Sequence, residues 1–365
     1  MVGDNLRLQL LLGPQLATPA PRAVVDAFVS LRVTSATGSR SGFQLSLSMS
    51  PASPLHQLLA TGALDPKNRI VASVLWRDHV TVLIDGIVTR HDVTPTSIAN
   101  SGVLTLTGED LTVLMDLETK YARHDGLQPE AQVRDICEPY GSYGITPDVH
   151  DAPEQDTENP QRHSDTQSAT DLAYLNQLAA DVGYVFYLEP GSTPGVSSAY
   201  WGPGLRTGEV QPPLTTNFGT LDTVASLTFD LNGLANTSYV KGGHQISPSD
   251  LSQLRPPLAR TLSPTLVTRP LPPSAMLDGP QTDLLAGSLI ANSMDSVGGH
   301  GELDVRRYGH ILKARRLVSV RGASQSYDGR YFVVSVTHDL AMGRYRQQFR
   351  LTRDGLGTRS NMVPG

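Results

Sequence analysis

Residues 28–49 read FVSLRVTSATGSRSGFQLSLSM. Val29, Leu31 and Val33 alternate with Ser30, Arg32 and Thr34; past a Gly/Ser turn, Phe43, Leu45, Leu47 and Met49 alternate with Gln44, Ser46, Ser48 and Ser50. Successive side chains of a strand point to opposite faces, so this period of two describes an antiparallel hairpin with one apolar and one polar face. Further strands are expected at about 69–77, 79–85, 87–94 and 103–108, with Asp85-Gly86 a turn or bulge between two of them. Strands at this density predict a small closed or nearly closed barrel. Ser53-Pro54 supplies a short helix start after the hairpin, and residues 1–21, rich in Pro and Leu, read as an arm.

The period then changes. Pro129 opens a helix to about Glu138, and a polar, acidic loop covers roughly 147–166. The strongest helix has Ser168 as N-cap and Asp171 at N3, with Leu172, Leu175, Leu178 and Val182 on one face and a strand from Tyr184 to Leu188 behind it. Period two returns at Val224–Leu231, Thr237–Lys241, Leu317–Gly322, Arg330–Leu340 and Arg344–Arg353. The Pro-rich stretch 246–280 reads as a loop laid along another surface, and a helix from about Asp283 to Ser296 ends at Gly298-Gly299. The expected fold is mainly β with an α/β insert. Its divisions are an arm 1–21, a first barrel 22–120, a module 121–195, a second barrel from 196–245 and 303–356, an insertion 246–302 and a tail 357–365.

Only 18% of the 365 residues are charged, and 33 Gly and 26 Pro punctuate the chain, which excludes a coiled coil or helical bundle. A chain of this length buries enough surface to fold without a disulfide or metal staple. The single cysteine, Cys137, excludes a disulfide framework and a multi-cysteine zinc site. No apolar run is long enough for a membrane span. Leu6–Leu12 follows Asp4 and is interrupted by Gly13-Pro14, a poor signal peptide, so synthesis in the cytoplasm is expected. The net charge of −6 hides a segregation: residues 121–190 carry 3 basic and 13 acidic side chains, residues 303–365 carry 12 basic and 4 acidic. Such asymmetry marks surfaces that face each other or face partners.

Motifs for chemistry are missing. Gly202-Pro203-Gly204 with Gly208 has the wrong spacing for a dinucleotide fingerprint, and there is no phosphate loop, zinc-protease motif or nucleophile elbow. Cys137 on an amphipathic helix reads as a small core hydrophobe. His150, Asp151, Glu154, His163 and Asp165 match no metal-ligand spacing and read as a solvated loop. Glu109-Asp110 read as a turn or cap, and Gly298 to Glu302 as a Gly-rich helix terminus. No catalytic group, metal or cofactor is expected. A cell-wall hydrolase or binding module is the alternative, and it needs paired carboxylates across a cleft. A nucleic-acid binder would use the arginines of 303–353, but the aromatic interleaving for stacking is thin, so specific nucleic-acid binding is not expected. Arg344, Arg346 and Arg350 share one face of the last long strand and form a candidate partner interface, to meet acidic groups from 121–190 or from another protein.

Three stretches carry a family resemblance. The first is VLIDGIVT at 82–89 with LTLTGEDL at 104–111 and Leu114-Met115; the second is DGRYFVVSVTH at 328–338 with Tyr345 and Phe349-Arg350-Leu351. Between them stands LAYLNQLA at 172–179, leading into Gly183-Tyr184-Val185-Phe186. In order and spacing these resemble the late control protein D family, which includes contractile phage tail hubs and the hub part of VgrG spikes. The resemblance covers about 22–356 and makes Gly86, Gly108, Asp110, Gly329, Tyr331 and His338 structural motif positions. It implies two tail-tube-like barrels per subunit and a homotrimer that adapts a six-fold inner tube to a three-fold spike. The implied partners are itself, a tube or tube-initiator protein, a spike and other baseplate components, within an assembled phage tail or injection particle. Since the chain stops at Gly365 without an OB-fold or needle, the spike is expected to be a separate protein.

Overall fold

A computed structural model describes residues 6–95, 101–124, 126–152, 166–204, 206, 208–241, 244–246, 257–271, 286–287, 289–291 and 293–359. The first block consists of β1 (Leu6–Gly13), β2 (Thr18–Pro19), helix α1 (Arg22–Asp26), β3 (Phe28–Ala36), β4 (Gly42–Met49), helix α2 (Leu55–Ala60), β5 (Arg69–Trp76), β6 (His79–Pro95) and β7 (Gly102–Asp110). The hairpin forms as predicted apart from Val29, which is exposed at a register irregularity: β3 pairs with β4 from Phe28↔Leu47 to Thr34↔Gly42, burying Leu31, Val33, Phe43, Leu45 and Leu47 and leaving Arg32, Gln44 and Ser48 exposed. Ser53 starts α2 as expected, its Oγ accepting from the Leu55 amide at 3.3 Å.

The module contains β8 (Thr119–Arg123), α3 (Pro129–Cys137), β9 (Ile145–Val149), β10 (Thr166–Thr170), α4 (Asp171–Asp181), β11 (Tyr184–Pro190) and β12 (Ser197–Pro203). Leu172, Leu175, Leu178 and Val182 bury the apolar face of α4 in a core of its own, with Val133, Ile136, Cys137, Phe186 and Trp201. The helix begins two residues later than Ser168 predicts. Residues 166–170 pair with β8, so Thr170 becomes the N-cap and its Oγ1 accepts from the Ala173 amide at 3.2 Å. Asp171, the first helical residue, is buried; Lys120, Gln167 and Tyr140 hold its carboxyl below the usual range against the opposing effect of burial.

The second block contains β13 (Val210–Thr215), β14 (Ser226–Leu231), β15 (Thr237–Lys241), β16 (His244–Ile246), β17 (Ala259–Leu262), β18 (Val267–Pro270), β19 (Val297–Asp304), the one-turn helix Val305–Tyr308, β20 (Leu317–Arg321), β21 (Gly329–Ala341), β22 (Arg344–Arg353) and β23 (Gly355–Thr358). The fold is mainly β with a small helix-containing module, and its two antiparallel blocks are continuous. A 13-stranded sheet runs β14-β19-β22-β21-β3-β4-β7-β6-β5-β1-β2, with β20 and β13 branching from β21. The junction is β21 with β3, antiparallel from Ser335↔Ala36 to Ala341↔Ser30. Residues of both blocks share one core, in which Leu31 and Leu45 join Val336, Tyr345 and Phe349.

Four expectations are corrected. The arm holds β1, which pairs with β5 along its whole length and buries Leu6 and Leu10. Asp85-Gly86 is no turn but lies inside β6, one 17-residue strand whose irregularities fall at Leu83 and Thr89 instead. Gly298 to Glu302 lies in strand β19, not at a helix end, because Gly299 and Gly301 make room for the rings of Phe229 and Phe349. Of the Pro-rich stretch, residues 257–271 lie on this chain: β17 pairs with β23, β18 with β15, and the Asp354 carboxylate accepts from the Leu258 and Ala259 amides. Of the helix expected at about Asp283 to Ser296, residues 286–287, 289–291 and 293 are described and helical, whereas 294–296 are not helical.

Candidate functional site

One face of the sheet is largely polar from β19 to β6. Because the register of each strand pair is fixed, rows of side chains can be followed across both blocks. One row runs Asp304, Arg346, Asp339, Arg32, Gln44, Thr107, Arg90; a second runs Glu302, Gln348, Thr337, Thr34, Gly42, Glu109; a third runs Ala341, Ser30, Ser46, Thr105, Asp92. Between the blocks Thr34 and Thr337 share a hydrogen bond of 3.0 Å across the junction. The opposite parity of the same strands forms the core.

The charges on this face are interleaved. Arg346 donates to Glu302 at 2.9 Å, Arg32 and Arg344 reach Asp339 at 3.5 and 3.8 Å, Arg90 pairs with Asp92 at 2.7 Å, and Arg40 meets Glu109 at 3.0 Å. The carboxylates that meet Arg344 and Arg346 therefore come from the adjacent strands β21 and β19, and among the described residues none comes from 121–190. Arg350 lies opposite His300 and Ser335 and makes no ion pair among the described residues. Exposed pairs of this kind contribute little stability each, about 0–1 kcal/mol, but they cancel the local field. The result is a polar wall with weak net potential. Glu109 and Glu302, the carboxylates a hydrolase would need free, are both engaged by arginine.

The six positions singled out by the resemblance, Gly86, Gly108, Asp110, Gly329, Tyr331 and His338, are buried. A Cβ on Gly86 would stand 2.3 Å from the Glu109 carbonyl oxygen, and one on Gly108 2.2 Å from that of Ile87, so β6 and β7 pair closely where only glycine fits. Asp110 accepts from the Ser41 amide at 2.7 Å and the Thr112 amide at 3.0 Å, which makes it the cap suggested by its sequence position. Gly329 has φ +130°, and Tyr331 is buried with its hydroxyl donating to the Tyr327 carbonyl and the Arg353 guanidinium 4.4 Å above its ring. His338 is buried, its Nδ1 accepting from the Tyr345 hydroxyl at 2.7 Å. Burial, with a smaller contribution from Lys313, lowers its imidazole from 6.5 to about 3. The unfolded chain binds that proton first as pH falls. Stability is thus expected to drop from about pH 6.5 toward pH 3, by roughly 1.4 kcal/mol per pH unit. Urea midpoints measured across that window should fall, and His338→Gln should flatten the profile.

Of the residues considered for a metal, Glu154, His163 and Asp165 lie outside the described residues, as does much of the acidic loop. Asp151 receives the Tyr184 hydroxyl on its carbonyl. Burial, then the Asp171 charge, pushes the Cys137 thiol up to about 12, the opposite of what a nucleophile needs.

Sequence reasoning missed the clamps between module and blocks. Arg69 and Asp85 form a buried bidentate pair at 2.7 and 2.6 Å, and Arg69 also donates to the Gln15 and Gly195 carbonyls at 2.9 and 3.0 Å. On the second block Arg315 lies 4.3 Å over the Tyr187 ring, with Glu189 3.4 Å away.

No protein-family model matches the sequence, and no curated protein matches it. Solved structures do match. A tail protein from Neisseria meningitidis MC58 superposes with a TM-score of 0.62 at 14% identity, over 97% of this chain and 98% of that one. The 43 kDa tail protein of prophage MuSo2 from Shewanella oneidensis gives 0.62 at 13% identity, over 96% of this chain and all (100%) of the other. The E. coli c3393 protein, described as a type VI secretion component similar to the T4 bacteriophage tail proteins gp27 and gp5, gives 0.51 at 12% identity, over 92% and 77%. The chain thus has the fold of phage tail proteins and of a type VI secretion component related to them in structure.

Proposed function

We propose that the chain is the structural hub of a contractile tail or injection particle, a homotrimer that adapts a six-fold inner tube to a three-fold spike. The observation that carries this reading is the geometry of the sheet's free edges. The run β14-β19-β22-β21-β3-β4-β7-β6 contains an even number of strands, each antiparallel to the next. Its two ends, β14 and residues 89–95 of β6, each have one strand partner among the described residues. An even count makes those ends antiparallel to each other when copies meet, so β6 of one subunit can continue into β14 of the next. Two tube-like blocks per chain and three chains give the quasi-six-fold ring a tube requires, and closure removes edges that otherwise invite aggregation.

In such a ring the polar face lines the channel. Gln44, Ser46 and Ser48 then offer small uncharged groups, and the paired arginines and carboxylates leave little field to hold a passing chain. The partners in this reading are the inner tube or its initiator, a separate spike and other baseplate proteins, met after synthesis in the bacterial cytoplasm. Arg350 is the guanidinium on the face left for a partner. No observation favours a hydrolase.

Ring closure is testable with cysteines, since Cys137 is buried. Thr228→Cys combined in turn with Arg90→Cys, Asp92→Cys and Thr94→Cys samples the possible registers. One combination is expected to give a disulfide-linked trimer on a non-reducing gel, and sedimentation of the unmodified protein a mass three times that of the chain. A monomer, or cross-linking in no register, refutes the ring.

A further inference from the structure

A groove of about 420 Å³ opens where the tip of the β5–β6 hairpin meets the segment after the one-turn helix Val305–Tyr308. Trp76, Pro212 and Ile311 supply its apolar lining, and Arg77, His79, Thr81 and His310 its polar groups. Arg69 and Trp76 stand at opposite ends of β5, about 23 Å apart at the rise of a strand, so this groove lies far from the Arg69 clamp that holds the module. Its walls come from both blocks, which share one core.

The groove is built around Arg77. The residue sits in the left-handed region, φ +48°, followed by Asp78 at +64°, a two-residue turn of the type that joins tight hairpins. That turn folds the guanidinium back over the Trp76 ring at 4.7 Å, and one Nη donates to the Gly309 carbonyl at 3.4 Å. A stacked guanidinium keeps its remaining N–H groups fixed in direction, which suits it to a carboxylate fork. No carboxylate lines the groove, and Arg77 makes no ion pair among the described residues. His310 is held edge-on by Tyr308, ring centroids 5.8 Å apart, and Tyr308 is anchored through its hydroxyl to the Pro212 carbonyl at 2.6 Å. A preset cation thus stands beside a tryptophan and two imidazoles, with the exposed Asp78 the next residue of the turn.

We propose that this groove binds an acidic peptide segment of a partner protein, one carboxylate on Arg77 and an adjacent apolar side chain against Trp76 and Ile311. The volume lies in the range of built ligand sites and is sufficient for two or three side chains. The charge complementarity selects the occupant, since a neutral segment would cover the exposed guanidinium and leave it only the Gly309 carbonyl to donate to.

The test is fluorescence anisotropy of a labelled peptide with six glutamates around a central leucine, beside its glutamine counterpart. The glutamate peptide is expected to bind at least tenfold more tightly, and added salt should weaken it. Arg77→Asn keeps a residue that tolerates the left-handed turn. Combined with His310→Gln it should cost tenfold or more in affinity with an unchanged circular dichroism spectrum, whereas Arg330→Gln, at an exposed position of β21, should cost nothing. Equal binding of both peptides, no binding to the unmodified protein, an unaffected double variant, or tighter binding of an oligothymidylate would each overturn the proposal. Peptide binding requires no trimer, so its failure is read separately from that of ring closure.

Discussion

Arg69→Met is expected to destabilise the fold by about 3–5 kcal/mol, the cost of stripping one partner from a buried ion pair. Both side chains are nearly inaccessible, 2% and 1% exposed, and their two contacts are short and bidentate. Methionine fills much of the arginine's volume, so the loss is electrostatic rather than a cavity. It leaves the Asp85 carboxyl buried without its charge partner, with the Ser197 Oγ 3.4 Å away. The Gln15 and Gly195 carbonyls lose their donor at the same time. Those four groups belong to the first block, the segment after β1, the turn at Gly195 and the start of β12, so the effect should spread beyond β5. Hydrogen exchange is expected to quicken in β12 and in residues 14–17 as well as locally. Adding Asp85→Leu should recover a large part of the stability, because replacing both charges removes the orphan. A single variant as stable as the parent in urea, or a double variant worse than the single, would sink the assignment.

How this clamp escaped the sequence is instructive. The partners are 16 residues apart, and their meeting depends on the register of β5 against β6, which no local pattern records. With Asp85-Gly86 read as a turn or bulge, the carboxylate has no assigned direction. Arg315 and Glu189 lie 126 residues apart and are less legible still. The groove around Arg77 likewise draws its walls from segments more than a hundred residues apart. By contrast the hairpin at 28–49 and the Arg344–Arg353 strand were legible, since each alternates over most of its length, broken only at Val29 and at the buried Thr352 and Arg353, and each has one face in the core. β1 was hidden because Leu11 and Leu12 blur the alternation of buried Leu6 and Leu10 with exposed Arg7 and Gln9. β19 was hidden by its glycines, which signal a helix end locally but here yield space to aromatic rings from neighbouring strands. The arginine face was visible as a feature of one strand; that its counter-charges sit on β19 and β21 required the sheet order.

Gly108→Ala is expected to cost about 3 kcal/mol or more, at the top of the range for overpacking a core. A methyl group there would lie 2.2 Å from the Ile87 carbonyl oxygen and 2.4 Å from two ring carbons of Phe43. The ring is a side chain and has some freedom to move, although it is 4% exposed and packed among core residues. The carbonyl belongs to β6 at its pairing with β7, so relieving that contact means parting the strands between Ile87↔Glu109 and Val88↔Gly108. Phe43→Leu in the same chain should therefore restore only part of the loss. Thermal melts of the two single variants and the double variant separate the contributions. Full rescue by Phe43→Leu would make the ring the whole obstacle, and a Gly108→Ala protein of parental stability would show that the strands can part cheaply. Because β7 lies beside the half of β6 proposed to form the ring-closing edge, the variant should also lose trimer before it loses its fold, a sequence of events that sedimentation and circular dichroism on one sample would resolve.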